Sequence, residues 1–356
     1  MSFLIVKYSL FFFACLFFSL LINLLLIKFV RSLGIRNKED TIIRWGSQSK
    51  PAIGGISFYI IFLLSIIAYS FFLQESFNFS NLRFIGILFA STLGFLLGMF
   101  DDAYNTKPLI KLFTQIACSV LLISTNVYIH LFDSDVLNYA ITILWVVGIM
   151  NSVNMLDNMD AISSIIGGSV ILTIIINILI RGTISNPDLF ILMGMFAALL
   201  GFLKYNWHPS IIYMGDTGSQ FLGAFLAAYG ILYFWNDSGV TGVEIWSKQV
   251  IVSVMMFSIP IIDTTTVSIK RIFKGKSPFI GGKDHTTHHI SYLGLKDNQV
   301  ALVYIGISLV SMALVIIALN FISRWSYFYI AFFGLYILIL FTVLFVIANK
   351  NKSKCT

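Results

Sequence analysis

Long apolar runs recur along the whole chain and constrain its fold more than any other feature. A helix needs about 17–25 apolar residues to cross the hydrocarbon core of a bilayer, and some eleven segments are long enough. Backbone groups in lipid must be satisfied within the spanning structure, and barrel strands would be shorter and alternating, so the segments are predicted to be helices. The predicted spans are 3–30, 53–73, 84–100, 109–129, 136–153, 164–180, 188–204, 219–235, 248–267, 299–322 and 325–348.

These spans predict an all-α, polytopic integral membrane protein with about 10–11 transmembrane helices. The composition agrees, since 58% of the residues are apolar and only 11% are charged, whereas a typical soluble domain is about 25% charged. A soluble enzyme, a secreted disulfide scaffold and a nucleic-acid binder are therefore excluded. No segment between spans is long enough for a soluble domain, so residues 1–356 are expected to form one membrane-embedded domain with main loops at 31–52 and 268–298.

Basic residues are unequally distributed between the two sides of the membrane. Eighteen of the 23 Lys and Arg residues fall on one side when the predicted spans alternate in direction. Because cytoplasmic loops carry an excess of Lys and Arg, this side is predicted to be cytoplasmic, with the N-terminus outside and the C-terminus inside. The net charge of +7 is then expected to serve contacts with the membrane surface, not with nucleic acid.

Ten of the sixteen acidic residues also lie on or beside the predicted cytoplasmic face, in short polar strings that interrupt apolar helices. Ionisable residues in such positions are costly and usually functional. The first such string, GMFDDAYN, places Asp101 and Asp102 at the end of the third span. Adjacent carboxylates favour a divalent cation, because Mg²⁺ prefers oxygen ligands and usually keeps substrate phosphates in its shell. The alternative is a solvated acidic turn beside Lys107.

A second string, NSVNMLDNMD, follows the fifth span. Asn151, Asn154, Asp157 and Asp160 are three residues apart, so a continuous helix would place them on one face. A capping loop would account for one of these residues but not for four. We therefore expect a functional polar stripe here.

A third string, KYNWHPSIIYMGDTGSQ, joins the seventh and eighth spans. Pro209 ends the seventh helix after Asn206, and Asp216 lies between glycines at the start of the eighth span. Glycines permit close approach of the backbone to a phosphate at a helix N-terminus. A simple helix cap is the alternative for Asp216 alone.

The fourth string, KGKSPFIGGKDHTTHH, combines lysines with His285, His288 and His289. It lacks the glutamate of the H-E-x-x-H zinc motif. With Arg271 nearby, an anion site for phosphate or sugar hydroxyls is the preferred interpretation. A polybasic loop on anionic lipid would explain the lysines but not the histidines. A fifth string, SKPAIGG, is interpreted as helix packing.

Together, GMFDDAYN, NSVNMLDNMDAIS, FLKYNWHPSIIYMGDTGSQFLG and SPF…DHTTHH resemble signatures of the polyprenyl-phosphate N-acetylhexosamine-1-phosphate transferases (glycosyltransferase family 4). The resemblance runs from about Pro51 to Leu295. The undecaprenyl-phosphate GlcNAc-1-phosphate transferase branch looks closer than the phospho-MurNAc-pentapeptide translocases, whose histidine motif is a contiguous triple.

This resemblance implies a multi-pass enzyme of the bacterial inner membrane with a cytoplasmic active-site cleft. The enzyme would transfer HexNAc-1-phosphate from a UDP-sugar, UDP-GlcNAc first, to undecaprenyl phosphate and release UMP. That reaction begins synthesis of the cell wall or of surface polysaccharides, including lipopolysaccharide. The resemblance also implies Mg²⁺ dependence, with Mn²⁺ as a substitute, and permits a homodimer.

Roles follow residue by residue from the resemblance. Asp216 and Asp157 match metal ligands, and the catalytic carboxylates match Asp101, Asp102 and Asp157. Asn154, Asp160 and Asn206 match the nucleotide side. Residues of the phosphate and sugar side correspond to Arg271, His285, His288 and His289.

The sequence departs from the family pattern at several positions. Asn158 and Ala161 replace the glycines of a common DG-x-DG motif, and Asn105 stands where an acid or lysine usually closes the first string. The histidine motif H-T-T-H-H has one residue more than the common H-x-H-H.

Two mechanisms are compatible with these residues. Direct attack by the lipid phosphate on the UDP-sugar is favoured over an aspartyl-phosphate intermediate, and both remain open.

A secondary transporter for an anionic solute is the main alternative, since it would also have many spans and intramembrane acids. Its ionisable residues would lie near the bilayer midplane, whereas these lie at helix ends on one face. A scaffold of a polysaccharide-export complex would not need the acidic strings.

Overall fold

The computed structural model describes residues 2–33, 50–72, 81–183, 186–275, 277 and 282–350. Within these residues the fold is all-α, and the one β-type contact is an isolated bridge between Ala52 and Tyr213. The α-helices, in chain order, are α1 Ser2–Leu33, α2 Gly55–Phe72, α3 Leu82–Tyr104, α4 Pro108–Ser124, α5 Asp135–Leu156, α6 Ile162–Ile180, α7 Pro187–Asn206, α8 Gly215–Gly230, α9 Trp246–Met256, α10 Ser258–Phe273, α11 Thr286–Tyr292, α12 Asp297–Asn320 and α13 Tyr327–Lys350.

The membrane-spanning character of the chain is confirmed. Among the described residues, seven helices are long and apolar enough to cross a membrane, and the number is eight if the bent pair α9–α10 forms one span. Shorter apolar helices account for the second and fourth predicted spans. Helix α8, which continues as a π-helical segment at Ile231–Trp235, accounts for the eighth. Every predicted span therefore has a helical counterpart.

The ninth predicted span, 248–267, is bent instead of straight. Helices α9 and α10 meet at an angle of 75°, and α10 continues to Phe273, beyond the predicted end of the span. The predicted loop 268–298 also contains the short helix α11. Residues 34–49 of the other predicted loop lie outside the described residues.

Helix α8 lies at the centre of the bundle and is buried almost along its whole length. Its sequence is rich in glycine and alanine, which lets neighbouring helices approach closely. At Gly98 of α3 an added Cβ would overlap the carbonyl oxygen of Asp216, and at Gly55 of α2 it would overlap the backbone of Gly218. The N-terminus of α8 is therefore held between α2 and α3.

A second group of polar residues lies at the end of the bundle opposite to Asp101 and Asp216. Arg83 at the start of α3 forms an ion pair with Asp188 at the start of α7, and Arg181 donates two hydrogen bonds to Asp237 at 2.8 and 3.0 Å. These residues are far along the helices from Asp101 and Asp216. The bundle therefore has two polar ends, of which only one carries the predicted strings.

Candidate active site

Asp102 joins the end of α3 to the beginning of α8. Its Oδ1 accepts a hydrogen bond from the backbone N–H of Asp216 at 3.1 Å. Its Oδ2 accepts from the N–H and the hydroxyl of Thr217 at 2.8 and 2.7 Å. The N-terminal N–H groups of a helix lack partners within the helix and favour negative charge. Both carboxylate oxygens of Asp102 thus cap α8 from a neighbouring helix.

Asp101 faces a different partner, Lys111 of α4. The two side chains form an ion pair, and Oδ1 of Asp101 also accepts from the N–H and hydroxyl of Thr106 at 2.8 and 2.7 Å. The ammonium group of Lys111 lies 3.7 Å from Oδ2 of Asp216. One lysine is therefore shared between carboxylates from two helices. Lys111 was not among the predicted site residues, because nothing in its spacing relates it to Asp101.

Asn154 of α5 completes the surroundings of Asp216. Its side-chain amide donates to Oδ1 of Asp216 and to the hydroxyl of Ser219, both at 2.9 Å. The predicted stripe of four residues is only partly helical, because α5 ends at Leu156 and Asp157 is its C-terminal cap. Asp160 lies beyond the helix. The turn, not a helical face, brings the second half of this string towards the third.

Asp160 and Asn206 connect the second and third strings. Asp160 accepts hydrogen bonds from the backbone N–H and the hydroxyl of Ser210 at 3.0 and 2.7 Å. Asn206 accepts from the N–H of Ala161 at 2.9 Å and donates to the carbonyl of Ile212 at 3.0 Å. Both side chains hold the two turns together. Their predicted contact with the nucleotide stays a prediction.

The fifth string, interpreted as packing, pairs with the third through its backbone. Gly54 and Gly55 donate to the carbonyl oxygens of Tyr213 and Met214, both at 3.0 Å, and Tyr213 donates to the carbonyl of Pro51 at 2.8 Å. Together with Asp102, this pairing fixes the segment that leads into α8.

The fourth string contributes an ion pair and a link to the second string. Arg271 donates to both oxygens of Asp284 at 2.9 and 2.6 Å. Burial alone would raise the pKa of the Asp284 carboxyl, but Arg271 outweighs it and lowers that pKa below its usual value. The hydroxyl of Thr287 donates to Oδ1 of Asn158 at 2.7 Å. This bond joins α11 to the end of α5.

The three histidines occupy different surroundings. His285 pairs through Nδ1 with Oδ2 of Asp263 at 2.7 Å. Burial lowers the pKa of His288 to about 3, and burial with the nearby charge of Lys270 lowers that of His289 to about 4. Both rings are therefore neutral at neutral pH. Nε2 of His289 lies 2.9 Å from the ammonium group of Lys270, which also donates to the carbonyl of Ala348 in α13.

His289 and Thr287 lie on opposite sides of α11, because two residues correspond to about 200° of helical rotation. Thr287 contacts the second string, so His289 faces α13 instead. The carbonyl oxygen of His285 accepts from the N–H of His289, one helical turn further on, at 3.1 Å, and Asp284, the partner of Arg271, lines the same cavity as His289. A common phosphate or sugar ligand for all three histidines stays a prediction.

The fit of the carboxylates to a divalent cation depends on what substrate phosphates would add. Across the described ranges, no three His, Cys, Asp or Glu side chains converge as a ready set of ligands. The donor chemistry nevertheless suits Mg²⁺, which is often held by only one or two carboxylates together with substrate phosphates. Lys111 lies beside Asp216, so a positive charge already occupies the place where the carboxylates converge. Asp216 therefore fits as a ligand, whereas both oxygens of Asp102 are already engaged.

Fold and site define a polytopic helical membrane protein with a carboxylate-rich centre where α3, α4, α5 and α8 meet, beside a histidine-bearing loop. The sequence profile of Glycosyl transferase family 4 matches residues 84–234, which include that centre.

Three relatives extend the similarity over most of the chain. A phospho-N-acetylmuramoyl-pentapeptide-transferase of Prochlorococcus marinus (strain MIT 9301) is 30% identical over 82% of this chain and 84% of the relative. A probable undecaprenyl-phosphate N-acetylglucosaminyl 1-phosphate transferase of Bacillus subtilis (strain 168) is 28% identical, over 82% and 78%. A decaprenyl-phosphate N-acetylglucosaminephosphotransferase of Mycolicibacterium smegmatis is 24% identical, over 74% and 71%. This chain belongs to glycosyl transferase family 4.

Proposed function

We propose that this membrane protein transfers a HexNAc-1-phosphate group from a UDP-sugar, UDP-GlcNAc first, to undecaprenyl phosphate. The products are undecaprenyl-diphosphate-HexNAc and UMP, and the reaction begins cell-wall or surface-polysaccharide synthesis. The observation that carries the proposal is the convergence of Asp101, Asp102 and Asp216 around Lys111. That convergence lies in the part of the chain matched by the family, and two relatives carry names that describe this kind of transfer.

The geometry suits phosphoryl transfer better than transport. The carboxylates lie at the end of α3 and the beginning of α8, whereas a transporter places its binding groups near the bilayer midplane. An acceptor phosphate monoester has a second pKa near 6, so it is largely dianionic at neutral pH and needs little activation. The difficulty is to bring two anions together, which requires fixed positive charge and alignment.

Each side chain then has a distinct part in the proposal. Asp101, paired with Lys111, lies on the acceptor side, where the pair orients the acceptor phosphate or takes its remaining proton. Asp102 fixes the start of α8 and so positions Asp216. The acceptor oxygen attacks the β-phosphorus of the UDP-sugar, a new P–O bond forms, and the P–O bond to UMP breaks. An exchange of labelled UMP into UDP-GlcNAc without lipid would instead indicate an aspartyl-phosphate intermediate.

The metal and donor sides are proposed from the same positions. Asp216 and Asp157 would hold Mg²⁺, with Mn²⁺ as a substitute. A bound Mg²⁺ would supply charge neutralisation at the diphosphate. Asn154, Asp160 and Asn206 are assigned to the nucleotide side, and Arg271, His285, His288 and His289 to the phosphate and sugar side. The neutral rings of His288 and His289 suit hydrogen bonding better than ion pairing.

The experiment is release of UMP by the purified chain supplied with Mg²⁺, undecaprenyl phosphate and UDP-GlcNAc. Omission of the lipid or addition of a chelator should stop release. Asp216→Asn should abolish turnover, whereas Asp135→Asn, at the exposed start of another helix, should leave it unchanged. No UMP from any UDP-HexNAc would contradict the transferase function. Near-normal turnover by Asp216→Asn would remove that residue as a metal ligand.

We also propose that the site lies on the cytoplasmic side of the bacterial inner membrane. Support comes from the excess of Lys and Arg on the side of the acidic strings. A cysteine introduced at Asn105 should react with a membrane-impermeant thiol reagent only after cells are opened, and one at Asp133 should react in intact cells. The reverse pattern would invert the topology. A homodimer stays a prediction.

A further inference from the structure

Asp263 is a fully buried carboxylate that the family resemblance leaves without a role. It lies on α10, and its Oδ2 is 2.7 Å from Nδ1 of His285. Its Oδ1 accepts from the backbone N–H of Thr286 at 2.7 Å and from the hydroxyl of Thr286 at 2.6 Å. Three groups from the start of α11 thus converge on one side chain.

These contacts determine which nitrogen of His285 carries a proton. An ionised carboxylate only accepts hydrogen bonds, and two of its three donors are supplied by Thr286. The hydroxyl of Tyr304 lies 2.7 Å from the hydroxyl of Thr286, so Tyr304 donates when Thr286 donates to Asp263. The remaining donor must be Nδ1–H of His285. A hydrogen bond at one ring nitrogen fixes the state of the other.

The other ring nitrogen remains available to a ligand. Among the described residues, Nε2 of His285 has no hydrogen-bond partner, although the residue is largely buried at 4% exposure. Thr287, two residues further along α11, contacts Asn158 of the second string. His289 is directed to Lys270 and α13 instead. His285 is thus held through Nδ1, and Nε2 is left for another partner.

We propose that Asp263 is a positioning residue that holds His285 as its Nδ1–H form and directs Nε2 towards the UDP-sugar. This inference rests on the proposed function and names a further residue of the same site.

A purely structural cap would not need this arrangement. Capping the start of α11 uses only Oδ1 of Asp263, as hydroxyl and amide side chains do at most helix N-termini. Burying a whole carboxylate is costly unless every lone pair finds a partner. Here Oδ2 is engaged with His285 alone, which is the contact that a cap does not require.

Asp263→Asn separates positioning from capping. The asparagine Oδ1 can keep both bonds from Thr286, which leaves its NH₂ facing Nδ1 of His285. That nitrogen must then accept, and the ring proton moves to Nε2. Thr286→Val is the matched control, because it removes a cap bond and leaves the Asp263–His285 pair intact. Asp188→Asn, a buried acid at the other end of the bundle, controls for loss of a buried charge.

The first measurement does not depend on turnover. The full chain has five histidines and is labelled with ¹⁵N-histidine. The signals that are lost in His285→Gln are those of His285. The wild type should show a protonated Nδ1, Asp263→Asn should show a protonated Nε2, and Thr286→Val should match the wild type. UDP-GlcNAc should shift the Nε2 signal in the wild type. A proton on Nε2 in the wild type, or no shift with UDP-GlcNAc in a preparation that releases UMP from it, would overturn the proposal.

The second measurement is a double-mutant cycle on kcat/KM for UMP release. Asp263→Asn should lower kcat/KM about 10- to 100-fold, as does loss of carboxylates that orient histidines at metal sites. In the His285→Gln background the same change should cost less than about twofold, within the scatter of independent sites. Full additivity would show that Asp263 acts structurally. If Asp263→Asn does not fold, Asp263→Glu is the second variant, because it keeps a carboxylate as acceptor. It should recover part of the activity and keep Nδ1 of His285 protonated. A proton on Nε2 of His285 in this variant would count against the proposal.

Absence of UMP from the wild type would contradict the transferase function and leave the NMR result to judge Asp263 separately. The two failures are therefore distinguishable.

Discussion

Asp102 accepts a hydrogen bond from the backbone N–H of Asp216 at 3.1 Å, although the two residues are 114 positions apart in the chain. This contact makes the position of the Asp216 carboxylate depend on the end of α3. Together with the bonds from Thr217, it explains why an acidic pair is needed there: Asp101 engages Lys111, and Asp102 holds the helix that carries Asp216.

Asp102→Ala should impair both stability and turnover. Loss of an N-terminal cap costs about 1–2 kcal/mol of folding free energy, and displacement of a catalytic group by about 1 Å can lower the rate about 100-fold. Asp102→Asn retains an acceptor and should lose less stability. Thermal unfolding and UMP release are the measurements, with Asp135→Asn as control. Equal activity of Asp102→Ala and wild type would show that the position of Asp216 does not depend on this cap.

Lys111→Gln should lower turnover by about 100-fold or more, a loss typical of removing one charge-stabilising group. The variant leaves the buried Asp101 without its counter-charge. Stability should fall by about 2 kcal/mol, less than the 3–5 kcal/mol of a fully buried pair, because Lys111 is partly exposed. Lys107→Gln, four residues earlier at the exposed N-cap position before α4, is the matched control. Similar kinetics for the two variants would contradict a specific role for Lys111.

Ala161→Gly should stabilise the protein. Ala161 has a φ of 70° in the left-handed region, which costs a residue with a Cβ about 1–2 kcal/mol, and it stands where the family motif commonly has glycine. The added flexibility of the unfolded chain offsets part of the gain, so we expect about 1 kcal/mol and a higher Tm. Ala313→Gly, at an exposed position inside α12, should lower stability by about 1 kcal/mol. A lower Tm for Ala161→Gly would contradict the conclusion that the backbone at Ala161 is strained.

Acidification should destabilise the loop that carries the histidines. The pKa values of His288 and His289 are lowered to about 3 and about 4, while the unfolded chain binds protons near pH 6.5. Below pH 6.5 the unfolded state therefore binds more protons, and stability falls as the pH decreases towards the folded values. Each ring should cost about 2 kcal/mol at pH 5.

Replacement of a buried histidine tests this pH dependence. The difference in Tm between pH 7 and pH 5 should shrink in His288→Gln, because one group that binds protons on unfolding is gone. His130→Gln, an exposed histidine outside the loop, should leave the difference unchanged. An unchanged difference in His288→Gln would show that His288 does not stay neutral in the folded protein.

Several features of the site could be predicted from the sequence because they are local. Asp101 and Asp102 end α3, and Asp216 begins α8, as their positions next to apolar runs indicated. The prediction that the polar strings lie on one side of the membrane followed from the alternating direction of successive spans. The stripe through Asp160 was wrong in its second half, because a threefold spacing does not reveal that α5 ends at Leu156.

The sequence alone determined the all-α membrane fold, since hydrophobic length is sufficient to specify a spanning helix. It also determined which polar strings interrupt that pattern. Only the tertiary structure decided which groups meet: Lys111 with Asp101, Asn154 with Asp216, and Asp263 with His285. These partners come from different helices, and their contacts depend on helix packing at Gly55 and Gly98. Helix packing sets the distances between side chains of different helices, and residue spacing along the sequence does not specify those distances.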